Sequence, residues 1–259
     1  MKNLLIGLAM ATLLLVVTGC SKDPAGSSSF KMSVANSAVA KPSAGNSAPA
    51  VPVTFTDGTY TYTVTEARIN VRDFGFDPSA DVSSSADKVE IAGPFVFDLY
   101  NNTASPSLPS FDLPAGNYQR LDIRFDDADA ADGVLAAGDE LLNNSMIVKG
   151  TYTNGGAVNS TFSILLKFNE DLRLEPVGGI VVDTGASVDV LMNLRVTDWL
   201  KDSYGNAISL TGCIAGYTAG DVVALTDDGS TSCNDSNGDP VDLESVIKGN
   251  LKNKYDFSS

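Results

Sequence analysis

The 259-residue chain carries 17 Lys and Arg against 32 Asp and Glu, a net charge of −15, and it has no histidine. That balance makes nucleic acid and anionic lipid headgroups poor partners. The missing imidazole excludes Ser/His/Asp triads, Cys/His dyads, the usual zinc sites and c-type haem attachment.

The N-terminus has the layout of a secretory signal. Lys2 supplies the positive charge, and Leu4 to Val17 supply an apolar run broken only by Gly7 and Thr12. The run is short for a transmembrane span, which needs about 20 apolar residues. It ends in Val17-Thr18-Gly19-Cys20, which matches the bacterial lipobox of aliphatic, small, small, Cys. The expected chemistry is removal of a signal peptide over 1–19 and acylation of Cys20 with fatty chains such as palmitate. Each buried CH₂ contributes about 0.8 kcal/mol to such an anchor. Ser21 follows the cysteine where an Asp usually retains a lipoprotein at the inner membrane. The expected location is therefore the outer membrane, facing the periplasm or the cell surface. Residues 20–29 read as the lipidated Cys and a polar tether. The remaining residues, 30–259, read as a single domain.

Residues 30–34 alternate and predict a first strand, while 35–58 reads as a loop insertion rich in Ala, Ser, Pro and Asn. From Thr59 on, period-two patterns dominate. In 59–76, Val64, Ala67, Ile69 and Val71 point to a core, with a parity change near Thr65-Glu66. KVEIAGPFVFDLY (88–100) is one strand or two, with Gly93-Pro94 as a bulge or bend. NYQRLDIRFDD (117–127) puts Leu121, Ile123 and Phe125 on one face. Residues 145–154 and 160–175 follow as two strands joined by a hairpin at Gly155-Gly156, and 186–200 adds another. Seven to nine strands without alternating helices predict an all-β, antiparallel β-sandwich. A short C-terminal α-helix is predicted over 240–253, capped by Asp239 with Pro240 at its first position.

Cys213 and Cys233 remain as a pair for an oxidising compartment, so a disulfide is expected, clipping the irregular segment 203–239. Two acidic loops bear on calcium. DDADAADG (126–133) fails the EF-hand register, because Ala131 and Asp132 occupy positions 5 and 6. In DSNGDPVDLE (235–244), Asp235, Asn237 and Asp239 fit positions 1, 3 and 5, but Pro240 replaces the glycine and Val246 the glutamate. These three are the candidate calcium ligands. Otherwise the loops are Asx turns and a helix cap, and no other cofactor is expected. The charged strand residues read as a solvated face with cross-strand ion pairs. Arg68, Arg124 and Glu170 are the candidates for a polar recognition surface. Trp199, beside Leu200, reads as a core plug rather than a sugar-stacking platform.

The stretches TEARINVRD (65–73), GPFVFDL (93–99), LPAGNYQRLDIRFDD (113–127), FSILLKFNEDLRLE (162–175) and IKGNLKN (247–253) together resemble a group of bacterial lipoproteins with a DUF4382-like domain of unknown function. The resemblance covers more than half of the mature chain. It implies an immunoglobulin-like or transthyretin-like sandwich and brings no activity with it. In its Pro-Ala-Gly-x-Tyr turn, Pro114 and Gly116 make the bend, and the Tyr118 hydroxyl can close a corner on backbone. The expectation is a non-enzymatic, lipid-anchored envelope protein of binding or structural type. It would bind the membrane through Cys20, and an envelope protein or glycan otherwise. The alternative is a carbohydrate-binding or calcium-dependent adhesion module, and after that a hydrolase using carboxylates alone.

Overall fold

A computed structural model describes residues 26–35, 53–78, 88–108, 111–155, 157–185, 187–226, 232–253 and 255–258. The expected signal peptide, Cys20 and residues 36–52 of the expected loop lie outside them. The strands are β1 (Gly26–Ala35), β2 (Val53–Thr56), β3 (Thr61–Asp77), β4 (Val89–Asp98), β5 (Thr103–Ser105), β6 (Phe111–Leu113), β7 (Gly116–Tyr118), β8 (Arg120–Phe125) and β9 (Met146–Asn154). After them come β10 (Ala157–Leu166), β11 (Glu170–Leu174), β12 (Ile180–Val182), β13 (Ser187–Arg195) and the helical turn α1 (Val196–Trp199). The chain ends with β14 (Val223–Thr226), β15 (Ser232–Asn234), β16 (Pro240–Asp242), the helix α2 (Leu243–Asn253) and β17 (Tyr255–Ser258). The protein is thus mostly β, with antiparallel pairing dominant and one short C-terminal helix.

The 17-residue β3 is the spine. Its Thr, Val, Ile, Tyr and Phe content suits a long pleated strand. One edge pairs with β2 and then β4; the other pairs with β9 over Thr61–Ile69 and then β8 over Val71–Asp77. Two strands cannot share one edge without parting, so the sheet forks. Asn70, 2% exposed, sits at the fork: its N–H donates to Ser145 O at 2.8 Å and its amide to Asp126 O at 3.0 Å. It therefore holds the end of β8 and the start of β9 together. Arg72 is the next irregularity, the residue left over between Val71↔Phe125 and Asp73↔Arg124. On the other edge, Gly93 and Pro94 lie opposite it. A Cβ on Gly93 would stand 2.7–2.8 Å from Arg72 O and Val71 O, so only glycine fits there.

The same fork splits the expected 160–175 strand. β10 pairs with β9, the chain steps across at 167–169, and β11 pairs with β8. Ser145, fully buried, clasps the step. Its Oγ donates to Phe168 O at 2.5 Å and accepts from Phe168 N–H at 2.8 Å. The unbroken alternation of Phe162, Ile164, Leu166 and Phe168 hides this break, because all four side chains stay in the core.

A second sheet, in the order β17-β13-β1-β6, shares one hydrophobic cluster with the main sheet. Val64, Ala67, Ile69, Val71, Phe74 and Phe76 of β3 meet Leu113, Val190 and Met192 there. On the outer face of the main sheet, residues 126–145 cover a smaller cluster of Val96, Ala128, Leu141 and Ile147. β9 is therefore buried on both faces at Met146, Ile147 and Val148, which explains its continuous apolar run.

Several expectations hold. The parity change is a bulge at Thr65 between Val64↔Gly150 and Glu66↔Lys149. Asn154 pairs with Ala157 around Gly155-Gly156, and Gly155 has φ 77°. The Tyr118 hydroxyl donates to Pro114 O at 2.9 Å, closing the expected corner.

Others need correction. β1 begins at Gly26, so residues 26–29 belong to a strand rather than the tether. β2 lies within the expected 35–58 loop, because Val53 and Phe55 alternate into the core. Two pairings, β1 with β13 and β10 with β14, are parallel. These strands are remote in sequence, so no hairpin dictates their direction. Residues 240–242 pair with 232–234, and the helix begins at Leu243. Its cap is Asp242, which accepts the Glu244 N–H at 3.0 Å and the Ser245 hydroxyl at 3.0 Å. Leu243, Ile247 and Leu251 form its buried stripe. A further strand, β17, follows the helix and joins β13.

Ser145→Ala would leave the Phe168 N–H and C=O buried without partners, at a cost of about 1–3 kcal/mol. For a domain of this size, Tm should fall roughly 2–4 °C for each kcal/mol. Thermal unfolding checks this; an unchanged Tm would mean the clasp does not hold the fork.

Candidate functional site

The largest organised set of charges lies on the outer face of the β4-β3-β8-β11 stretch. Register sets the rows: Asp73 of β3, Arg124 of β8 and Asp171 of β11 stand side by side, followed by Gly75, Asp122 and Arg173, while Asp77 stands beside Arg120. Opposite charges on neighbouring strands stabilise one another by about 0.2–1 kcal/mol per pair. The face is less solvated than its composition suggests. Arg120 is 3% exposed and its Nη2 donates to Asp77, itself 1% exposed, at 2.6 Å. Its Nε lies 3.0 Å from Asp122 Oδ1, off line for a hydrogen bond. Lys88 lays its stem over Gly75, where a side chain would collide with it, and brings its amine 3.4 Å from Asp122. Burial, and Glu90 beside it, push the Asp73 carboxyl up; Arg124 and Lys88 oppose this. The charges on this face are paired within the chain at Arg120–Asp77 and Lys88–Asp122, while Arg120 Nε and Nη1 and Asp122 Oδ1 are buried without a hydrogen bond. Breaking one member of the buried Arg120–Asp77 pair leaves an uncompensated charge.

The three residues expected to share a polar surface do not come together. Arg124 belongs to the rows above. Arg68 lies beneath residues 126–145, where Nε bonds Glu66 at 2.8 Å and Nη1 bonds Asp139 at 2.9 Å. The bond from Arg68 holds the Asp139 carboxyl below its usual range. Glu170 pairs opposite Phe125 and so faces the core side of the sheet, against α2. There it takes Lys248 at 2.9 Å and Lys252 at 2.5 Å. Those two bonds lower the Glu170 carboxyl and fasten α2 to β11. A shallow, open groove runs beside them, lined by Asn169, Asp171, Arg173 and Lys252.

The described residues of the disulfide-clipped segment are bonded to the main sheet and to one another. Cys213 and Cys233 are bridged, with Cα atoms 4.2 Å apart, and Cys233 is fully buried. Tyrosines of the main sheet receive the segment. Tyr217 donates its hydroxyl to Tyr152 Oη at 3.0 Å, Tyr152 in turn bonds Asp221 O, and Tyr60 packs edge-on against both rings. Asp57 accepts the Tyr62 and Ser209 hydroxyls at 2.9 and 2.8 Å. Burial pushes the Tyr62 and Tyr217 hydroxyls well up, so both stay protonated as donors.

Asp202, which the sequence reading passed over, organises the other side. Its carboxylate accepts the N–H groups of Tyr204, Asn206 and Ser236, each at 2.9 Å. Burial alone would raise its pKa, but these hydrogen bonds outweigh burial and hold it at about 2. The available signal was Asp-Ser-Tyr-Gly-Asn, an Asx-turn sequence. No sequence signal points to its partner Ser236.

The candidate calcium ligands fall on the five-residue turn between β15 and β16. Asp235 Oδ1 already accepts the Asn237 and Asp239 N–H groups, at 2.8 and 2.9 Å. The loop is an Asx turn closing a hairpin. In the other acidic loop, Asp126 pairs with Arg72 at 2.8 Å, and Asp129 and Asp132 cap a short helical turn reciprocally. Among the described residues, no group of three or more His, Cys, Asp or Glu stands ready for a metal ion. Trp199 is 2% exposed and built into the core, so it offers no stacking platform. Tyr204, 63% exposed, is the bare aromatic of this segment.

No protein-family model, curated protein or solved structure matches the chain. Among the described residues, no helix is long and apolar enough to cross a membrane.

Asp202 has a folded pKa below its unfolded one. Its contribution is therefore complete above about pH 4 and fades as pH falls towards 2. Asp139 and Glu170 act with the same sign. Asp202→Asn should lower Tm at neutral pH and lose less Tm than the parent between about pH 5 and 2. Parallel Tm–pH curves for the two proteins would refute this. Cys213→Ser opens a loop of 20 residues, worth about 3 kcal/mol by chain entropy. Its non-reduced Tm should fall to that of the reduced parent.

Proposed function

We propose that this protein is a lipid-anchored component of the bacterial cell envelope, non-enzymatic and of binding or structural type. The observation that carries this reading is the lipobox Val17-Thr18-Gly19-Cys20, followed within six residues by the first strand of the folded domain. A hydrophilic domain, net negative, then hangs from acylated Cys20, with Ser21 directing it to the outer membrane. Its architecture is read as a β-sandwich of immunoglobulin-like or transthyretin-like type. Two sheets sharing one core and the Tyr118–Pro114 corner support that reading. The likeness to lipoproteins with a DUF4382-like domain points the same way.

Internal pairing of the charges favours a scaffold over a catalyst. Arg68, Arg72, Arg120, Lys167 and Lys248 are each engaged with carboxylates of the same chain. The adhesion alternative is less favoured, since Asp235 Oδ1 accepts two backbone N–H groups and Trp199 is buried.

Cys20→Ser removes the acylation site, so the protein should move from the detergent-extracted membrane fraction to the soluble fraction. Mass spectrometry of the parent should find acyl chains on Cys20. Retention of the Cys20→Ser protein in the membrane would overturn the lipoprotein reading.

A further inference from the structure

We propose that the end of the domain bearing Val177 and Val181 rests on the lipid surface that holds Cys20; the proposal depends on the lipoprotein reading above. Five residues, 21–25, separate Cys20 from Gly26. Even fully extended, the six steps between them span only about 20 Å. The lipid therefore fixes which end of the domain is close to the membrane.

Strand pairing identifies that end. Gly26 pairs with Leu113 and Ser27 with Ser187, so the chain enters beside the Pro114–Gly116 turn and the start of β13. The β7–β12 ladder stands directly on that turn, with Gly116 opposite Val182 and Asn117 opposite Val181. The loop 175–179 closes the same end, running from Leu174 to Ile180. Here the chain departs from its usual disposition of apolar groups. Ile180 and Val182 are buried, but Val181 is 55% exposed and Val177, at the loop tip, is 106% exposed. These are two of the four large apolar side chains exposed among the described residues. The other two, Tyr204 and Val222, lie on the disulfide-clipped segment.

Two valines would not bind a membrane unaided. Tethering changes the requirement, because an anchored domain meets the surface at high effective concentration and a shallow apolar contact then suffices to orient it. The neighbouring charges select the lipid. Glu175 and Asp183 are exposed beside the tip, so a zwitterionic surface is accommodated and a strongly anionic one is repelled.

The test uses the full-length acylated protein in vesicles of zwitterionic phosphatidylethanolamine and phosphatidylcholine, part of the latter carrying brominated acyl chains. Val177→Trp places an indole at the exposed tip. Tyr204→Trp places one past the far end of β13 and α1, as the control. Co-flotation with the vesicles is measured first; failure to float sinks the anchoring reading and this proposal with it. With flotation intact, and with the emission of the buried Trp199 measured on the parent protein and subtracted, the emission added by Val177→Trp should fall roughly twofold on brominated lipid, the depth range of a shallow interfacial contact, and that added by Tyr204→Trp should not. Equal quenching of the two, or none, would overturn the proposed orientation while leaving the anchor in place. Adding anionic lipid should weaken the Val177→Trp quenching.

Discussion

Everything in the main sheet depends on how one edge of β3 is divided. β9 and β8 both pair with that edge, and the division falls at Asn70. A buried polar side chain is costly unless satisfied; the Asn70 amide bonds Asp126 O at the end of β8, and its backbone N–H bonds Ser145 O at the start of β9. Asp126 extends the arrangement: its Oδ1 also accepts from Asn169 in the step between β10 and β11. Ser145 then clasps Phe168 in the same step. Three polar residues thus fix where four strands begin or end. The insertion 126–145 leaves through the gap and folds back over the outer face, with its own small apolar cluster beneath it.

The acidity of the chain has a structural counterpart. There are nearly twice as many acids as bases, and several of the bases tie segments of the fold together. Arg120 neutralises Asp77 in the interior, Arg68 holds Asp139 and with it the 126–145 segment, and Lys248 and Lys252 draw α2 onto β11 through Glu170. The charge left over is negative and lies towards solvent. On the proposed reading, that surplus keeps the domain soluble off an anionic surface, while the acyl anchor supplies the attraction that the charge cannot.

The segment after β13 solves a different problem. It has little apolar periodicity, so it cannot form its own core. It borrows one instead, seating Tyr217 among Tyr60 and Tyr152 and adding β14 beside β10. The disulfide reduces the entropy lost when the segment settles, and Asp202 gathers three backbone N–H groups that would otherwise compete with solvent. The hairpin of β15 and β16 then delivers the chain to α2, whose buried stripe closes the open side of the core.

The amino-acid sequence alone determined the core strands, because a period of two is imposed by the pleat of each strand. Val64 to Val71, Leu121 to Phe125 and Phe162 to Phe168 are buried as their alternation requires. It determined the bulge at Thr65, the glycine hairpin, the Tyr118 corner and the Cys213–Cys233 pair, all local or compartmental constraints. Tertiary structure alone decided which strands remote in sequence neighbour one another. The parallel partners of β13 and β10, the break between β10 and β11, and the placement of Glu170 away from Arg124 follow from pairings between remote segments. A strand's own sequence specifies which side of it is apolar, and says nothing about which edge will lie against it.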